Sequence, residues 1–547
     1  MNDIGSKVVY QVYPKSFYDT NGDGLGDIRG ITAKLDYLQA LGVDYIWSTP
    51  FFVSPQNDNG YDVENYRAID PRYGTMADVE ELIAEADKRG IGLMFDMVFN
   101  HTSTNHEWFQ KALAGDKKYQ DYYILKDGKP DGTPPTNWVS KFGGNAWQYE
   151  PAFGKYYLHL FDRTQADLNW ENPEVRHELA EVLKFWMAKG VKGFRFDVVN
   201  LISKPEVFED DYEGDGRRFY TDGHRVHEFL KELCKESGLS DSDLMTVGEM
   251  SSTSIDNCIR YSNPAEHELS MTFSFHHLKV DYKDGQKWAL QPCDFGKLKE
   301  LLHTWQVEMQ KGGGWNALFW CNHDQPRVLS RFGDDKNYPR ESATMLATMI
   351  HLMRGTPYIY QGEEIGMTNA YYESLEQYRD VESINYWHIL EQEGKSQEEI
   401  VHIVQERSRD NSRTPMQWDA SENAGFTTGT PWLGVIKNYP KVNVQTAVAD
   451  ENSIFAYYKK LIALRKQLPI IQQGEYAPLL TDHPSVFAYT RTLGEHKLVV
   501  LCNFYGEATQ VELSDVEGYQ PLIGNYEQHP LQQHMTLRPY EAAVWMR

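Results

Sequence analysis

The sequence predicts an α/β protein: a (β/α)8 TIM barrel with a domain inserted after strand three and an antiparallel β-sandwich domain at its C-terminal end. Three observations carry this. Strand-like and helix-like segments alternate over roughly the first two hundred residues with a break at about 102–170, eight apolar strand segments punctuate roughly 465 residues, and short alternating segments fill the last eighty or so.

The elements follow in order. VVYQVYPKSF (8–17) is a continuous apolar run, as a buried parallel strand requires. ITAKLDYLQALG (31–42) has helical spacing and stops at Gly42. VDYIWSTP (43–50), MADVEELIAEADKRG (76–90) and IGLMFDMVF (91–99) continue as strand, helix and strand, which implies right-handed parallel crossovers. Residues 102–170 are rich in Gly, Pro, Asn, Trp and Tyr with no long helical pattern, too long for a bare loop, and read as the inserted domain. The alternation resumes with PEVRHELAEVLKFWMAKG (173–190), led by Asn172 as cap and Pro173 in the first turn. VKGFRFDVVN, LMTVGE, MTFSFHHL, ALFWCNHD and TPYIYQGEE supply strands four to eight. A second insertion at about 366–450 precedes the last helix, SIFAYYKKLIALRKQ, and SVFAYTRT, KLVVLCNF and EAAVWMR belong to the β domain. The barrel therefore comprises 1–101 and 171–469, the inserted domain 102–170 and the C-terminal domain 470–547.

Composition narrows the partners. The 547 residues carry 54 Lys and Arg against 79 Asp and Glu, a net charge of −25 that repels nucleic acid and anionic lipid. No apolar window is long enough to span a bilayer, and the N-terminus lacks a basic region followed by an apolar stretch, so no signal peptide is expected. Five scattered cysteines without a CxxC pair suit reduced thiols in a cytoplasm.

Reactive groups of barrel enzymes lie at the C-terminal ends of the strands. Asp197 closes strand four, Glu249 strand five and Asp324 strand seven, near Arg195, His101 and His323. Paired carboxyls suit glycoside cleavage, one attacking or stabilising the cationic sugar and the other protonating the leaving oxygen. Arg195, two residues before Asp197 on the same face, would keep the nucleophile ionised. Glu249 must stay protonated near neutral pH, through poor solvation or a neighbouring acid such as Asp324. Spacing alone leaves the stereochemistry open. DTNGDGLGD (19–27) spaces Asp19, Asn21, Asp23 and Asp27 around glycines like the opening of an EF-hand loop. Its twelfth position is Gly30 rather than Glu, so the half-loop would wrap one hard cation, with Ca²⁺ preferred, in a structural role.

DMVFNH (96–101), QADLN (165–169), GFRFDVVN (193–200), VGEM (247–250) and FWCNHD (319–324) resemble the ordered signature segments of the α-amylase superfamily. The resemblance implies a retaining reaction, with Asp197 as nucleophile, Glu249 as acid/base and Asp324 as third carboxylate. QADLN and NSRTPMQW (411–418) resemble the oligo-1,6-glucosidase branch, which implies that Asp58, Tyr61, His101, Gln165, His323 and Arg413 grip one terminal glucose. It also implies a main-chain ligand from Leu25 at the cation loop. DGRRFYTDG (215–223), MTVGEMSSTS (245–254), MTFSFHHLKVDY (271–282) and WNALFWCNHDQPR (315–327) are most similar to the members of that branch that hydrolyse trehalose 6-phosphate. A phosphorylated disaccharide would then be the substrate and a monomer the working form. Oligo-1,6-glucosidase or dextran glucosidase activity on neutral isomalto-oligosaccharides is the alternative, and a non-catalytic amylase-like module is a third. A dianionic sugar requires a local cationic site against the negative field of the chain. Lys279 of HHLK and the Arg217–Arg218 pair are the candidates.

Overall fold

Eight short parallel strands organise the chain, as seen in a computed structural model that describes residues 3–547; Met1 and Asn2, where the N-terminal reading begins, lie outside it. The strands are β1 (Val9–Val12), β2 (Tyr45–Ser48), β3 (Gly92–Met97), β4 (Gly193–Phe196), β5 (Met245–Met250), β6 (Met271–Ser274), β7 (Ala317–Leu318) and β8 (Thr356–Tyr360). They form one sheet in the order β6-β5-β4-β3-β2-β1-β8-β7. Apart from β2, which is half-buried at Tyr45, and Gly92 and Ser274 at strand ends, their residues are buried, as strands covered by helices on the outside and packed inside must be.

Two compact units divide the chain. The first holds Trp47–Asp87 and Gly92–Ser274. Within it β3 pairs with β4, β4 with β5 and β5 with β6, all parallel. The predicted insertion builds a small antiparallel sheet, Leu125–Lys126, Lys155–Leu158 and Trp147–Glu150, and a second pair joining Gln165–Asp167 to His101–Ser103. Its core of Ile124, Trp138, Ala146, Trp147, Leu158 and Leu160 also takes in Val198, Leu201 and Tyr220 from the segment after β4. Asn172 caps the helix Pro173–Ala188 by accepting from the Glu174 amide at 2.9 Å, as its sequence position implies.

The second unit holds Asp3–Ile46, Lys88–Ile91 and Phe275–Arg547. In it β1 pairs with β8 and β8 with β7, again parallel. The second insertion carries the helices Val381–Gln392 and Gln397–Arg407 over a core that includes Trp387, Leu390, Ile400 and Val404. Beyond residue 474 a five-stranded antiparallel sheet and a two-stranded one (Thr509–Glu512 with His534–Leu537) share a core of Val499, Leu501, Val511, Leu537 and Trp545.

Three elements depart from the sequence reading. The first helix is two, Ile28–Ala33 and Leu35–Leu41, broken at Lys34, whose ammonium lies 4.2 Å from the rings of Tyr18 and Trp418. Strand six ends at Ser274, because His276 packs on Trp305 and His277 bonds the Phe319 carbonyl at 2.8 Å, turning His276–Leu278 into a 3-10 helix. Strand seven is only two residues long, and the rest of ALFWCNHD leaves the ladder. Among the described residues no helix is long and apolar enough to cross a membrane, and none of the five cysteines is joined in a disulfide.

Just after β8, Glu363 is buried with Tyr458 as hydrogen-bond partner (2.7 Å), and burial lifts its carboxyl to about 8. The folded state therefore keeps a proton that the unfolded chain releases near pH 4.5, so stability falls as pH rises between those values. Glu363→Gln, which stays neutral, should flatten that slope and raise the melting temperature at pH 8 relative to pH 5. An unchanged difference between the two pH values in scanning calorimetry rejects this.

Candidate active site

Register builds the first cluster. Arg195 on β4 lies level with Asp96 on β3 and with Val247 on β5. Side chains alternate along a strand, so Asp197 and Glu249, each two residues further on, face the same way as Arg195 and Asp96. The guanidinium joins them: Nη1 reaches Asp96 Oδ1 and Asp197 Oδ1 at 2.7 Å each, and Nη2 reaches Glu249 Oε2 at 2.5 Å. It lies 4.9 Å from the Trp47 ring and 5.8 Å from the Tyr61 ring. Trp47 Nε1 and the Tyr61 hydroxyl both donate to Asp96 Oδ2.

One cation serves three buried carboxyls, whereas the sequence reading named it only as the partner of Asp197. Burial lifts Asp197 well above the usual carboxylate range; Arg195 opposes the lift, while Glu249 and Asp96 add to it. Burial likewise raises Asp96 to about 6 against the pull of Arg195 and Tyr61. Burial thus pushes both aspartates of the cluster toward protonation, and their titrations belong to the group rather than to one acid.

Val198, immediately after Asp197, has φ +36°, a left-handed conformation that a β-branched residue rarely adopts. The turn sends its amide towards Glu249 Oε2 (3.3 Å) and its side chain into the core of the inserted domain. Such strain persists where surrounding packing over-determines it, commonly at functional sites.

The same unit holds four of the six residues expected to grip the glucose. Gln165 Nε2 donates to Asp58 Oδ2 (3.0 Å) and to the Tyr61 carbonyl (3.1 Å). His101 Nε2 is 3.1 Å from that carbonyl, and Asn100 Nδ2 is 3.1 Å from His101 Nδ1. Burial depresses His101 to about 4, so the imidazole is neutral. Asp58, Tyr61, His101 and Gln165 are all buried. The short pairing of Gln165–Asp167 with His101–Ser103 brings Gln165 and His101 together.

The second unit holds Asp324, His323 and Arg413. Arg413 Nη2 reaches Asp324 Oδ1 at 2.7 Å, and its Nε donates to the His323 carbonyl at 2.9 Å. Arg409 Nη1 lies 3.3 Å from the same Asp324 oxygen. Burial would raise Asp324, but His323, Arg409 and Arg413 outweigh it and hold the carboxyl far below the usual range. His323 bonds Gln11 through Nδ1 and stacks on Tyr13. Asp380 caps the helix Val381–Gln392 and grips Arg409 at 2.6 Å, fixing the guanidinium that faces Asp324.

The phosphate candidates fare unequally. Arg217 pairs with Asp215 at 2.7 Å, and Arg218 with Asp211 at 3.0 Å and Glu213 at 2.9 Å, so acids of their own loop balance both. Lys279 is exposed and closes the 3-10 helix rather than a strand.

In the 19–27 loop, Asp19 accepts from the amides of Asn21, Gly22 and Gly24. Asp27 caps the helix from Ile28 through the Gly30 amide (2.7 Å). Gly24 has φ +92°, and a β-carbon there would sit 1.9 Å from the Thr430 carbonyl oxygen. The loop offers hard oxygen donors of carboxylate, amide and carbonyl type, which fit Ca²⁺ in kind. Among the described residues no three His, Cys, Asp or Glu side chains are arranged as a metal cage, so such a site needs Asn21 and the Leu25 carbonyl beside the carboxylates.

Sequence reasoning missed Asp96, Val198, Arg409 and Asp380. The acid inside FDMVF was a usable signal for the first, and the arginine spacing of RSRDNSR for the third. The left-handed turn at Val198 and the cap at Asp380 leave no mark in composition.

Residues 11–474 match the family model described as alpha amylase, catalytic domain, and residues 486–544 match the alpha-amylase SusG C-terminal domain. The chain is 56% identical to the trehalose-6-phosphate hydrolase of Bacillus subtilis, covering 98% of this chain and 97% of that one. It is 51% identical to the oligo-1,6-glucosidase of Parageobacillus thermoglucosidasius, covering 98% of each. The crystal structure of Bacillus licheniformis trehalose-6-phosphate hydrolase superposes with a TM-score of 0.96 at 56% identity, covering 99% of each chain.

Removing the shared cation should expose the balance of charge. Arg195→Met is expected to cost about 3–5 kcal/mol at pH 7, and to recover part of that on acidification to pH 5 as the orphaned carboxyls take up protons. A loss that stays constant between these pH values, measured by denaturant titration, counts against three carboxyls depending on one guanidinium.

Proposed function

The chain belongs to the α-amylase family, and from that premise we propose that it hydrolyses the α,α-1,1 bond of trehalose 6-phosphate to glucose and glucose 6-phosphate. The observation that carries the reading is the 56% identity, over essentially the whole length, to a trehalose-6-phosphate hydrolase. The carboxyl cluster on Arg195 supports the glycosidase chemistry.

In this reading the terminal glucose binds among Asp58, Tyr61, His101, Gln165, His323 and Arg413. Glu249 is the proton donor and Asp197 the nucleophile, because positive charge growing at the anomeric carbon favours ionised Asp197. Asp197 attacks that carbon while Glu249 protonates the bridging oxygen, and glucose 6-phosphate leaves. Glu249 then takes a proton from water, whose oxygen displaces Asp197 and restores the original anomeric configuration. Arg195 stays bonded to both acids and limits the cost of moving charge between them. Asp324, kept ionised by its arginines, accepts hydrogen bonds from sugar hydroxyls and stabilises the cationic transition state. Lys279 contributes a cation for the phosphate. The substrate's charge keeps it from diffusing across membranes, which suits a cytoplasmic enzyme. A Ca²⁺ ion held by Asp19, Asn21, Asp23, Asp27 and the Leu25 carbonyl would tie the loop after β1.

Side-by-side assays of trehalose 6-phosphate, trehalose and isomaltose test the substrate. A higher kcat/KM for the phosphorylated sugar is expected, and preference for isomaltose would instead favour an oligo-1,6-glucosidase. Asp197→Ala should abolish turnover. Glu249→Gln should lose about 10²- to 10⁴-fold on the natural substrate, but retain more glycosylation of p-nitrophenyl glucoside, whose leaving group needs no proton. Equal losses in single-turnover assays refute the acid/base role. Added Ca²⁺ should raise the parent's melting temperature, by about 2.7 kcal/mol of stabilisation at a hundred times its Kd, and Asp23→Ala should remove that response. A parent insensitive to Ca²⁺ and to chelator would sink the cation site.

A further inference from the structure

The phosphate of the substrate rides on the leaving sugar. That sugar meets the proton of Glu249, so its phosphate must be met beyond the glucose pocket on the side of that acid. Ser251 stands two residues past Glu249, and the Lys141 ammonium lies 3.5 Å from its hydroxyl. We propose that Lys141 and the Ser251 hydroxyl form the phosphate-binding half-site for the leaving sugar, an inference that rests on the substrate assigned above.

Lys141 is built into a turn with two fixed edges. The Ser140 amide donates to the Gly144 carbonyl at 2.8 Å, and the Lys141 amide to the Leu160 carbonyl at 2.8 Å. Gly143 and Gly144 both take positive φ, which lets the chain reverse this tightly. Phe142 packs on Phe161 at 5.6 Å between ring centroids, and Phe161 on His101 at 5.2 Å. One turn thus touches the wall of the glucose pocket through Phe142 and the end of the acid's strand through Lys141. Ser251 is equally anchored. Asn200 accepts from the Ser251 amide at 2.9 Å and donates to its carbonyl at 2.8 Å, and Asp222 accepts from Asn200 at 3.2 Å.

The chemistry suits the task. Arg217 and Arg218 of the same unit are held in close ion pairs by Asp215, Asp211 and Glu213, and Lys141 itself feels the Asp215 charge. An ammonium on a flexible stem binds a dianion as a point charge and releases it with the product. The hydroxyl adds one neutral donor whose proton can turn towards a phosphate oxygen.

The test uses the full chain with Lys141→Ala, Lys141→Arg and Ser251→Ala. For Lys141→Ala the ratio of kcat/KM on trehalose 6-phosphate to that on p-nitrophenyl glucoside should fall about 10- to 100-fold, chiefly through KM. Inhibition by glucose 6-phosphate should weaken by a similar factor relative to inhibition by glucose. Lys141→Arg should recover part of both, and Ser251→Ala should show a smaller loss in the same direction. A ratio within about twofold of the parent, or a parallel loss on both substrates, overturns the proposal. If the parent shows no preference for trehalose 6-phosphate over trehalose, the substrate assignment fails instead. The inhibition ratio then still decides on Lys141: weakened selectively for glucose 6-phosphate it stands, unchanged it falls.

Discussion

A single guanidinium, walled in by three strands and shared among three buried carboxyls, is the constraint on which the rest of this structure depends. Water cannot dissolve that excess of negative charge, so the protein must hold the groups by register. Arg195 can meet Asp96, Asp197 and Glu249 only if β3, β4 and β5 keep their alignment. A slip of one residue in any of them would turn an acid to the outer face and leave the others undercompensated. Ladder pairing, usually a matter of backbone hydrogen bonds, is here also a matter of charge. The aromatic walls of Trp47 and Tyr61 serve the same end, each donating a hydrogen bond to Asp96 while its ring faces the guanidinium.

The second cluster solves the related problem with the opposite surplus around its central acid. Asp324 faces two arginines and a histidine, and is held ionised rather than left in competition for a proton. Its arginines are placed from far along the chain, by an insertion whose helix cap, Asp380, grips Arg409. The two clusters give one enzyme two kinds of carboxyl from the same residue types: a crowded group that burial pushes toward protonation and an acid held ionised by its cations. The division follows from the ratio of cations to carboxyls and from burial.

Much of this was legible in the sequence. Continuous apolar runs marked the buried strands, and the carboxyls stood out because each followed such a run. The insertion after strand three was visible as a loss of helical periodicity, and Asn172–Pro173 marked the helix after it. What stayed hidden depended on relations between distant residues. That Arg195 serves Asp96 as well as Asp197 is a fact of register, and that Arg217 and Arg218 are balanced by their own loop is a fact of side-chain reach. Strand six was read too long because nothing in HHL announces the pull of Trp305 and Phe319. The strain at Val198 is invisible because sequence patterns report what residues prefer, whereas this residue is held against its preference.

Val198 also belongs to two structures at once. Its backbone turns the chain away from Asp197, and its side chain completes the core of the inserted domain together with Leu201 and Tyr220. The domain is therefore no cassette that could be lifted out and exchanged by joining two loop ends. A lineage that reshapes the core of this domain must reshape the segment after strand four with it. The two segments form a matched pair, and a graft that moves one without the other disturbs the backbone beside Asp197.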